Sequence, residues 1–281
     1  MLTEADIQQF RRDGYLAVRQ AIDPDTLEAL RQATDDWVEK SRSVQKSTDV
    51  FDLEPDHSPS APRLRRLNHP VALADTYWQV ASSDSVLDVV AALIGPDIKF
   101  HHSKLNMKAS KGGAAIGWHQ DFAFFPHTNT DLVACGIALD DASRENGCLL
   151  VVPGTHRLGL LNHRDGNEQF VGQITTDGDR FDESTAAPVE LRAGDMSVHH
   201  VCAVHGSTAN TSGRPRRLLI YQYAACDAIQ LDRRPPVNEY SERVVRGAPV
   251  THARLEGAVT YRLRGDTRGV QSIFERQAAA R

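Results

Sequence analysis

The feature that most constrains the fold is a His-x-Asp triplet whose chemistry is completed only much later in the chain. His119 and Asp121 flank a single residue. His205 follows 86 residues after His119, and Arg216 follows 11 residues after His205. Two imidazoles and one carboxylate form the ligand set that holds a non-haem Fe(II) ion on one face and leaves positions open for chemistry. A fold that uses this set must bring two distant segments together.

A second triplet, His163-Arg164-Asp165, competes for the same role. Residues two apart in an extended strand point to the same side, so His119 and Asp121 converge if their segment is a strand. The surroundings of His163 are polar and rich in turn residues, which predicts a mobile loop where a metal site is harder to preorganise. We therefore favour His119 and Asp121. The alternative is a pair of polar side chains on an ordinary solvated strand.

Three histidines in the segment 191–207 compete for the third ligand position. His199 and His200 are adjacent and point to opposite faces of a strand, a pattern typical of one interior and one solvated histidine. His205 is favoured because a hairpin after it would return Arg216 towards it. The fork of Arg216 suits a carboxylate, whereas Arg217, of opposite parity, is expected to face away.

The order of the predicted elements indicates an α+β chain, mainly β: a double-stranded β-helix (jelly roll) flanked by N-terminal helices. We expect one domain over residues 1–281, with a mainly helical flank over 1–95, a jelly-roll core over 96–225 and a C-terminal extension over 226–281. Thr3 with Asp6, and Asp23 with Pro24, mark two helix starts, and a third helical stretch covers about 70–94. The proline-containing segment 52–64 is expected to be irregular and to border the pocket.

Residues 157–188 are charged and lack periodicity. A loop of this length in a compact domain is usually a lid or a binding loop, and we expect it to order when substrate binds. The alternative is a disordered surface insertion.

Composition excludes several functional classes. The net charge of −5, with no block of like charge, argues against a nucleic-acid partner, and no apolar run is long enough for a membrane partner or span. The four cysteines form no CxxC pair, so we expect buried free thiols. The first residues lack a basic and an apolar region, so no signal peptide is predicted and a cytoplasmic location is expected.

The strand predicted over 98–107 carries two further candidates. His102 and Asn106 are four residues apart and share a face in a regular strand, together with Ile98, Phe100 and Lys104. The alternative is a half-exposed strand with incidental polar residues.

Several motifs resemble the phytanoyl-CoA dioxygenase family, which includes the ectoine hydroxylases. The resemblance covers about residues 1–225, and its motifs are WHQD, DLVACGIALDDASRENGCLLVVPGTH and HGSTANTSGRPRR. It implies an Fe(II)- and 2-oxoglutarate-dependent dioxygenase that uses O2, hydroxylates a small-molecule substrate and releases succinate and CO2.

The resemblance also assigns residues. It implies metal ligation by His119, Asp121 and His205. The co-substrate residues that it implies are Arg216, Ser207, Asn106 and, at a position where ectoine hydroxylases have Gln, His102.

Two other classes are compatible with parts of the pattern. A non-catalytic jelly-roll protein that binds a metal or ligand would keep the fold without needing both metal ligands and the arginine. A hydrolytic zinc enzyme also uses two histidines and one carboxylate, but it explains neither Arg216 nor its spacing.

Overall fold

The computed structural model describes residues 2–231, 238–256, 273 and 277 of the chain. In this part the α-helices are α1 (Glu4–Asp13), α2 (Pro24–Lys40), α3 (Asp75–Ala81) and α4 (Asp84–Ile94). The strands are β1 (Tyr15–Val18), β2 (Phe51–Leu53), β3 (Leu64–Asn68), β4 (Ile98–Lys108), β5 (Ile116–His119), β6 (Leu132–Ala138), β7 (Leu149–Val151), β8 (Ala187–Val189), β9 (Met196–His200), β10 (His205–Ser207), β11 (Arg216–Ala225) and β12 (Val244–Arg246).

The predicted helix starts are confirmed, and each has a local cause. Thr3 and Asp6 form a reciprocal capping box at the start of α1. The side chain of Asp23 accepts the backbone N–H of Thr26, and proline follows at the first position of α2. Gly14 ends α1 in the left-handed conformation, with φ of 80°.

The strands form two antiparallel sheets. The large sheet has the order β1-β9-β6-β11-β4-β3-β2, with β12 paired to β4. The small sheet has the order β5-β10-β7-β8. Strands distant in the chain are neighbours in both sheets, and the fold is the expected jelly roll flanked by helices.

The main core lies between the helices and the outer face of the large sheet. Tyr221 and Tyr223, both buried, donate hydrogen bonds from their hydroxyls to backbone carbonyls of α3, over 2.7 Å in each case. Phe100 packs edge-on against Trp78, with ring centroids 5.4 Å apart. These contacts fix the outer face of β4 and β11, so alternate residues on both strands point into the space between the two sheets.

Two features of the large sheet differ from expectation. The segment 52–64 is not wholly irregular: β2 and β3 flank its proline-rich part and extend the sheet. In addition, the pairing of β4 with β11 skips His101, because Gln222 pairs with His102 and Tyr223 with Phe100. This β-bulge reverses the side-chain alternation of β4, so Phe100 lies on the helix side of the sheet. The prediction from a regular strand, that Phe100 shares a face with His102, was wrong.

Other expectations fare differently. All four cysteines are free and buried, as predicted. No helix among the described residues is long and apolar enough to cross a membrane. The single domain, the lid over 157–188 and the C-terminal extension over 226–281 stay predictions, and much of the extension lies outside the described residues.

Candidate active site

A cleft of about 570 Å³, counting its open mouth, lies between the two sheets. The small sheet contributes residues of β5, β7 and β10, and the large sheet contributes residues of β3, β4, β6, β9 and β11. Its polar lining consists of Arg66, Lys104, Asn106, His119, Asp121, Ser197, His199, His205, Ser207 and Arg216.

Strand pairing brings the two favoured histidines together. His119 at the end of β5 is the direct cross-strand partner of His205 at the start of β10. Partners of this kind have their side chains on one face at close range, and the two ring centroids are 4.1 Å apart. Two residues that are 86 positions apart in the sequence therefore lie directly opposite each other in the small sheet.

Asp121 completes this group from a different kind of element. The strand ends at His119, and Asp121 begins a 3-10 turn over Asp121–Ala123, so the premise of one continuous strand was wrong although the convergence was right. The Oδ1 atom of Asp121 lies 3.9 Å from Nε2 of His119 and 4.0 Å from Nε2 of His205. All three side chains are buried.

Both histidines have the tautomer that a metal requires. The Nδ1 atoms of His119 and His205 lie 2.9 Å from the carbonyl oxygens of Gly117 and Ala203. A carbonyl only accepts, so each Nδ1 carries the proton and each Nε2 presents its lone pair to the cleft. Burial lowers the pKa of His119 to about 4 and that of His205 well below its usual value. Both imidazoles are therefore neutral at pH 7.

Asp121 is ionised despite its burial. Burial alone would raise its pKa, but Lys104 and a hydrogen bond with His199 hold the pKa of Asp121 well below its usual range. The Nζ atom of Lys104 is 3.8 Å from Oδ1, and Nε2 of His199 is 3.4 Å from Oδ2. The site thus combines two neutral imidazoles with one carboxylate.

This donor set fits a divalent iron ion. The ligand atoms of His119, Asp121 and His205 all lie within 4.8 Å of one another. Two atoms bonded to one ion at about 2 Å cannot be more than about 4 Å apart, and Oδ1 of Asp121 already lies within this distance of both Nε2 atoms. The chemistry of two imidazoles and one carboxylate is that of non-haem Fe(II) sites with open positions.

Arg216 occupies the same cleft as a buried cation without an ion pair in the described part of the chain. Its Nε atom is buried with no hydrogen-bond partner there, and its Nη1 makes one long contact of 3.5 Å with the carbonyl of Asn106. Burial lowers its pKa to about 10, so it remains charged at pH 7. A buried guanidinium with this geometry calls for an anionic ligand.

Arg217 points the other way, as predicted. Its guanidinium donates to both carboxylate oxygens of Asp140, over 2.9 and 2.8 Å, and to Asp35 over 2.6 Å. Adjacent arginines of β11 therefore have opposite roles: one faces the cleft and the other forms ion pairs on the outer face.

The remaining co-substrate candidates differ in whether they line the cleft. Ser207 and Asn106 line the cleft, and the Oδ1 of Asn106 accepts a hydrogen bond of 2.9 Å from Nε of Arg66. His102 is not among the lining residues: its ring packs against Phe125, with centroids 4.5 Å apart, and its Nδ1 lies 2.6 Å from Nδ1 of His101.

His163 is buried, which its polar, turn-rich surroundings in the sequence did not indicate. Its Nδ1 donates to the carbonyl of Leu161, and its Nε2 accepts the backbone N–H of Gln120 over 3.0 Å. Both ring nitrogens are used, and the residue supports the backbone between His119 and Asp121 from behind.

Sequence reasoning did not assign three residues of the cleft: His199, Lys104 and Arg66. Strand parity could have indicated Lys104, which shares a face with Asn106. Nothing in the sequence indicated Arg66, because β3 was not predicted to join the sheet.

Comparison with known proteins gives consistent results. The phytanoyl-CoA dioxygenase (PhyH) family profile matches residues 10–218. A probable alpha-ketoglutarate-dependent hypophosphite dioxygenase of Stutzerimonas stutzeri is 31% identical over 215 residues, covering 75% of each chain. A methylphosphonate hydroxylase of Gimesia maris is 29% identical over 224 residues, covering 80% of this chain and 81% of that protein. The iron-bound EctD of S. alaskensis matches the fold with a TM-score of 0.70 at 19% identity, covering 89% of this chain and 88% of that one.

Proposed function

This chain belongs to the phytanoyl-CoA dioxygenase family, and from that premise we propose that its cleft hydroxylates a small anionic substrate. The enzyme is an Fe(II)- and 2-oxoglutarate-dependent dioxygenase that uses O2, which removes the non-catalytic and zinc-hydrolase alternatives. The observation that supports the cleft as the reaction site is the buried guanidinium of Arg216, which has no ion pair among the described residues, beside a buried group of two histidines and one aspartate.

We assign His119, Asp121 and His205 as the residues that hold the iron. With 2-oxoglutarate and O2, bound iron supplies the oxidant that hydroxylates the substrate and releases succinate and CO2. The protein keeps the two imidazoles neutral and correctly oriented through their Nδ1–H bonds, so no proton must leave before an ion binds. His199 orients the carboxylate of Asp121 from the other sheet.

Arg216 is the proposed partner of the distal carboxylate of 2-oxoglutarate. Its planar fork can donate two parallel hydrogen bonds to that group, and burial strengthens them by excluding water. The hydroxyl of Ser207 and the amide of Asn106 lie in the same cleft and add neutral donors. The apolar lining keeps the reacting centre dry; it consists of Ile116, Leu149, Leu218, Ile220 and Ile273.

The charge of the cleft favours an anionic substrate. Three cations line it, Arg66, Lys104 and Arg216, against one carboxylate, Asp121. A divalent metal and the dianionic co-substrate cancel one another, so two positive charges remain in excess. Asp52, which interacts with Arg66 from outside the cleft lining, offsets one of them. Within the described part of the chain, one positive charge is therefore left for the substrate to neutralise.

The named relatives support this substrate class. Hypophosphite and methylphosphonate, which appear in the names of two of them, are small phosphorus oxyanions. We propose a small oxyanion or carboxylate as the substrate, held by Arg66 and Lys104.

The test is a substrate screen that also measures how many oxygen atoms from O2 the product gains. Protein loaded with Fe(II) without air receives 2-oxoglutarate and one of a panel of small phosphorus oxyanions and carboxylates, each paired with its neutral ester or amide, and then ¹⁸O2. We expect succinate release to rise well above the substrate-free rate for at least one anion and not for its neutral counterpart. The product should gain one ¹⁸O atom. Its formation should not depend on chloride, because the carboxylate of Asp121 takes the place in the proposed ligand set that a halide ligand would need.

A matched pair of variants tests the substrate contact. Arg66→Met should raise the KM for the anion about tenfold or more, the loss of one charge-assisted hydrogen bond. Arg65→Met should leave that KM unchanged, since Arg65 points away and pairs with Glu54 over 2.8 Å. Turnover of neutral compounds alone, or an Arg66→Met variant in which only the KM for the co-substrate changes, would contradict the substrate assignment.

A further inference from the structure

A second group of side chains of the types that bind metals lies at the beginning of β4, apart from the residues that line the cleft. The ligand atoms of His101, His127 and Glu242 all lie within 4.8 Å of one another. The three residues come from β4, from the loop that follows the turn at Asp121–Ala123, and from the turn before β12. Both histidines are buried, and Glu242 is exposed.

His127 carries the most specific signal in this group. Its Nδ1 lies 2.9 Å from the carbonyl oxygen of Phe125 and so carries the proton, which leaves a lone pair on Nε2. That Nε2 is buried and has no hydrogen-bond partner among the described residues. A buried acceptor left in this state destabilises the fold by about 1–3 kcal/mol, so its retention requires an explanation.

The same local geometry recurs at three other histidines, which allows a direct comparison. His119, His205 and His163 each donate from Nδ1 to the carbonyl two residues earlier, as His127 does. The Nε2 of His163 accepts a backbone N–H. The Nε2 atoms of His119 and His205 face Asp121 in the proposed iron site of the cleft. Only for His127, within the described ranges, does this geometry leave an Nε2 with no function yet assigned.

The β-bulge places His101 beside it. Because His101 is the residue skipped in the pairing of β4 with β11, its side chain leaves the regular alternation of the strand. Its ring lies 5.2 Å from the ring of His127, and its Nδ1 is fixed by the contact with His102. The bulge therefore brings the ring of His101 next to that of His127, an arrangement that the packing of the helix side does not require.

Glu242 is held in place by a strained backbone. Its φ is 64°, in the left-handed region that non-glycine residues rarely adopt. Hydrogen bonds from its own N–H to the carbonyl of Phe100, and from the N–H of Phe100 to the carbonyl of Arg243, fix this turn against β4. Lys99 holds one carboxylate oxygen, Oε2, over 2.6 Å.

We propose that His101, His127 and Glu242 form a second metal site, for a divalent transition ion such as Zn²⁺. Two imidazole nitrogens and one carboxylate oxygen suit Zn²⁺ or Co²⁺ and do not suit Mg²⁺ or Ca²⁺, which select oxygen ligands. The ion satisfies Nε2 of His127 and ties two loops to β4. It shares Glu242 with Lys99, whose positive charge weakens its binding.

The experiment counts metal equivalents with Co²⁺ as the probe, by equilibrium dialysis and by the visible absorption of the bound ion. We expect two equivalents in the metal-free full chain and one in His127→Gln. The double variant His119→Ala/His205→Ala should keep one equivalent, and adding His127→Gln to it should leave none. His57→Gln is the matched control and should keep two, because both ring nitrogens of His57 are already hydrogen-bonded to backbone groups and the residue lies outside both metal groups.

Two further variants keep the proposal testable if His127→Gln does not fold. Glu242→Gln, at an exposed position, should weaken the second equivalent at least tenfold. Lys99→Met should strengthen it, because it removes the competing cation from Glu242. A single equivalent in the unaltered chain, or two equivalents that survive in both His127→Gln and Glu242→Gln, would overturn the proposal.

Discussion

Replacing Arg216 by methionine should stabilise the free protein and at the same time weaken 2-oxoglutarate binding. Burial lowers the pKa of Arg216 from 12.5 to about 10, which at 1.36 kcal/mol per pKa unit corresponds to a folding cost on the order of 3 kcal/mol for its charge at pH 7. The only hydrogen bond described for its guanidinium is the contact of 3.5 Å. Arg216→Met removes that cost and loses little, so we expect unfolding to require about 1–3 kcal/mol more.

The effect on the co-substrate has the opposite sign. A charge-assisted pair with the distal carboxylate contributes about 2 kcal/mol, so its loss raises the Kd roughly 30-fold. At a 2-oxoglutarate concentration of about 100 times the original Kd, the ligand stabilises the metal-loaded wild type by about 2.7 kcal/mol. The same concentration should stabilise Arg216→Met by only about 0.9 kcal/mol. Arg216→Lys should keep the charge but lose the paired donors, with an intermediate result.

Arg217→Met is the matched control, since it removes the same group from the next position of the same strand. It breaks the ion pairs with Asp140 and Asp35, so we expect the free protein to lose about 1–2 kcal/mol while the stabilisation by 2-oxoglutarate stays unchanged. Urea denaturation of anaerobic, metal-loaded protein with and without co-substrate measures both quantities. If Arg216→Met keeps the full ligand stabilisation, or destabilises the free protein as Arg217→Met does, the assignment of Arg216 is refuted.

Three other outcomes are expected. His119→Ala and His205→Ala should each lower Fe(II) affinity in a metal titration at least about 100-fold, whereas His163→Ala should lower it less; the reverse order would show that the ligands are misassigned. Amide hydrogen exchange over residues 157–188 should slow when metal, 2-oxoglutarate and substrate bind, and complete protection in the metal-free protein would indicate a static loop. Burial and the neighbouring His156 lower the pKa of His200 from 6.5 to about 3, so the unfolded state binds more protons between these two values and stability falls as pH falls through that window. Denaturation of His200→Gln across this range should show a slope smaller by up to about 1.4 kcal/mol per pH unit, and an unchanged slope would exclude this residue as a source of the acid sensitivity.

Local rules account for most of what the sequence predicted correctly. The starts of α1 and α2 depend on residues within one turn, such as the Thr3–Asp6 box. The opposite directions of Arg216 and Arg217 follow from the alternation of a regular strand. These features depend on covalent geometry and nearest neighbours, so they can be inferred without knowing which strands pair.

The failures share a different cause. The parity argument for β4 failed at His101, because a bulge is defined by the partner strand and not by the strand that contains it. The polar run around His163 did not indicate that its ring is buried, where its Nε2 accepts the N–H of Gln120 at the end of β5. In both cases the deciding contact joins segments that are distant in the chain.

The sequence by itself determined the donor set, since no arrangement of this chain can alter which imidazoles, carboxylates and guanidinium groups it carries, and their spacing indicated the chemistry. Tertiary structure decided which of these groups meet. The pairing of β5 with β10 places His119 opposite His205 in the small sheet. The large sheet brings His199, Lys104 and Arg66 to the same cleft. Sheet order and register are set by the burial of whole faces, a collective term in the free energy, and local sequence patterns carry only part of it.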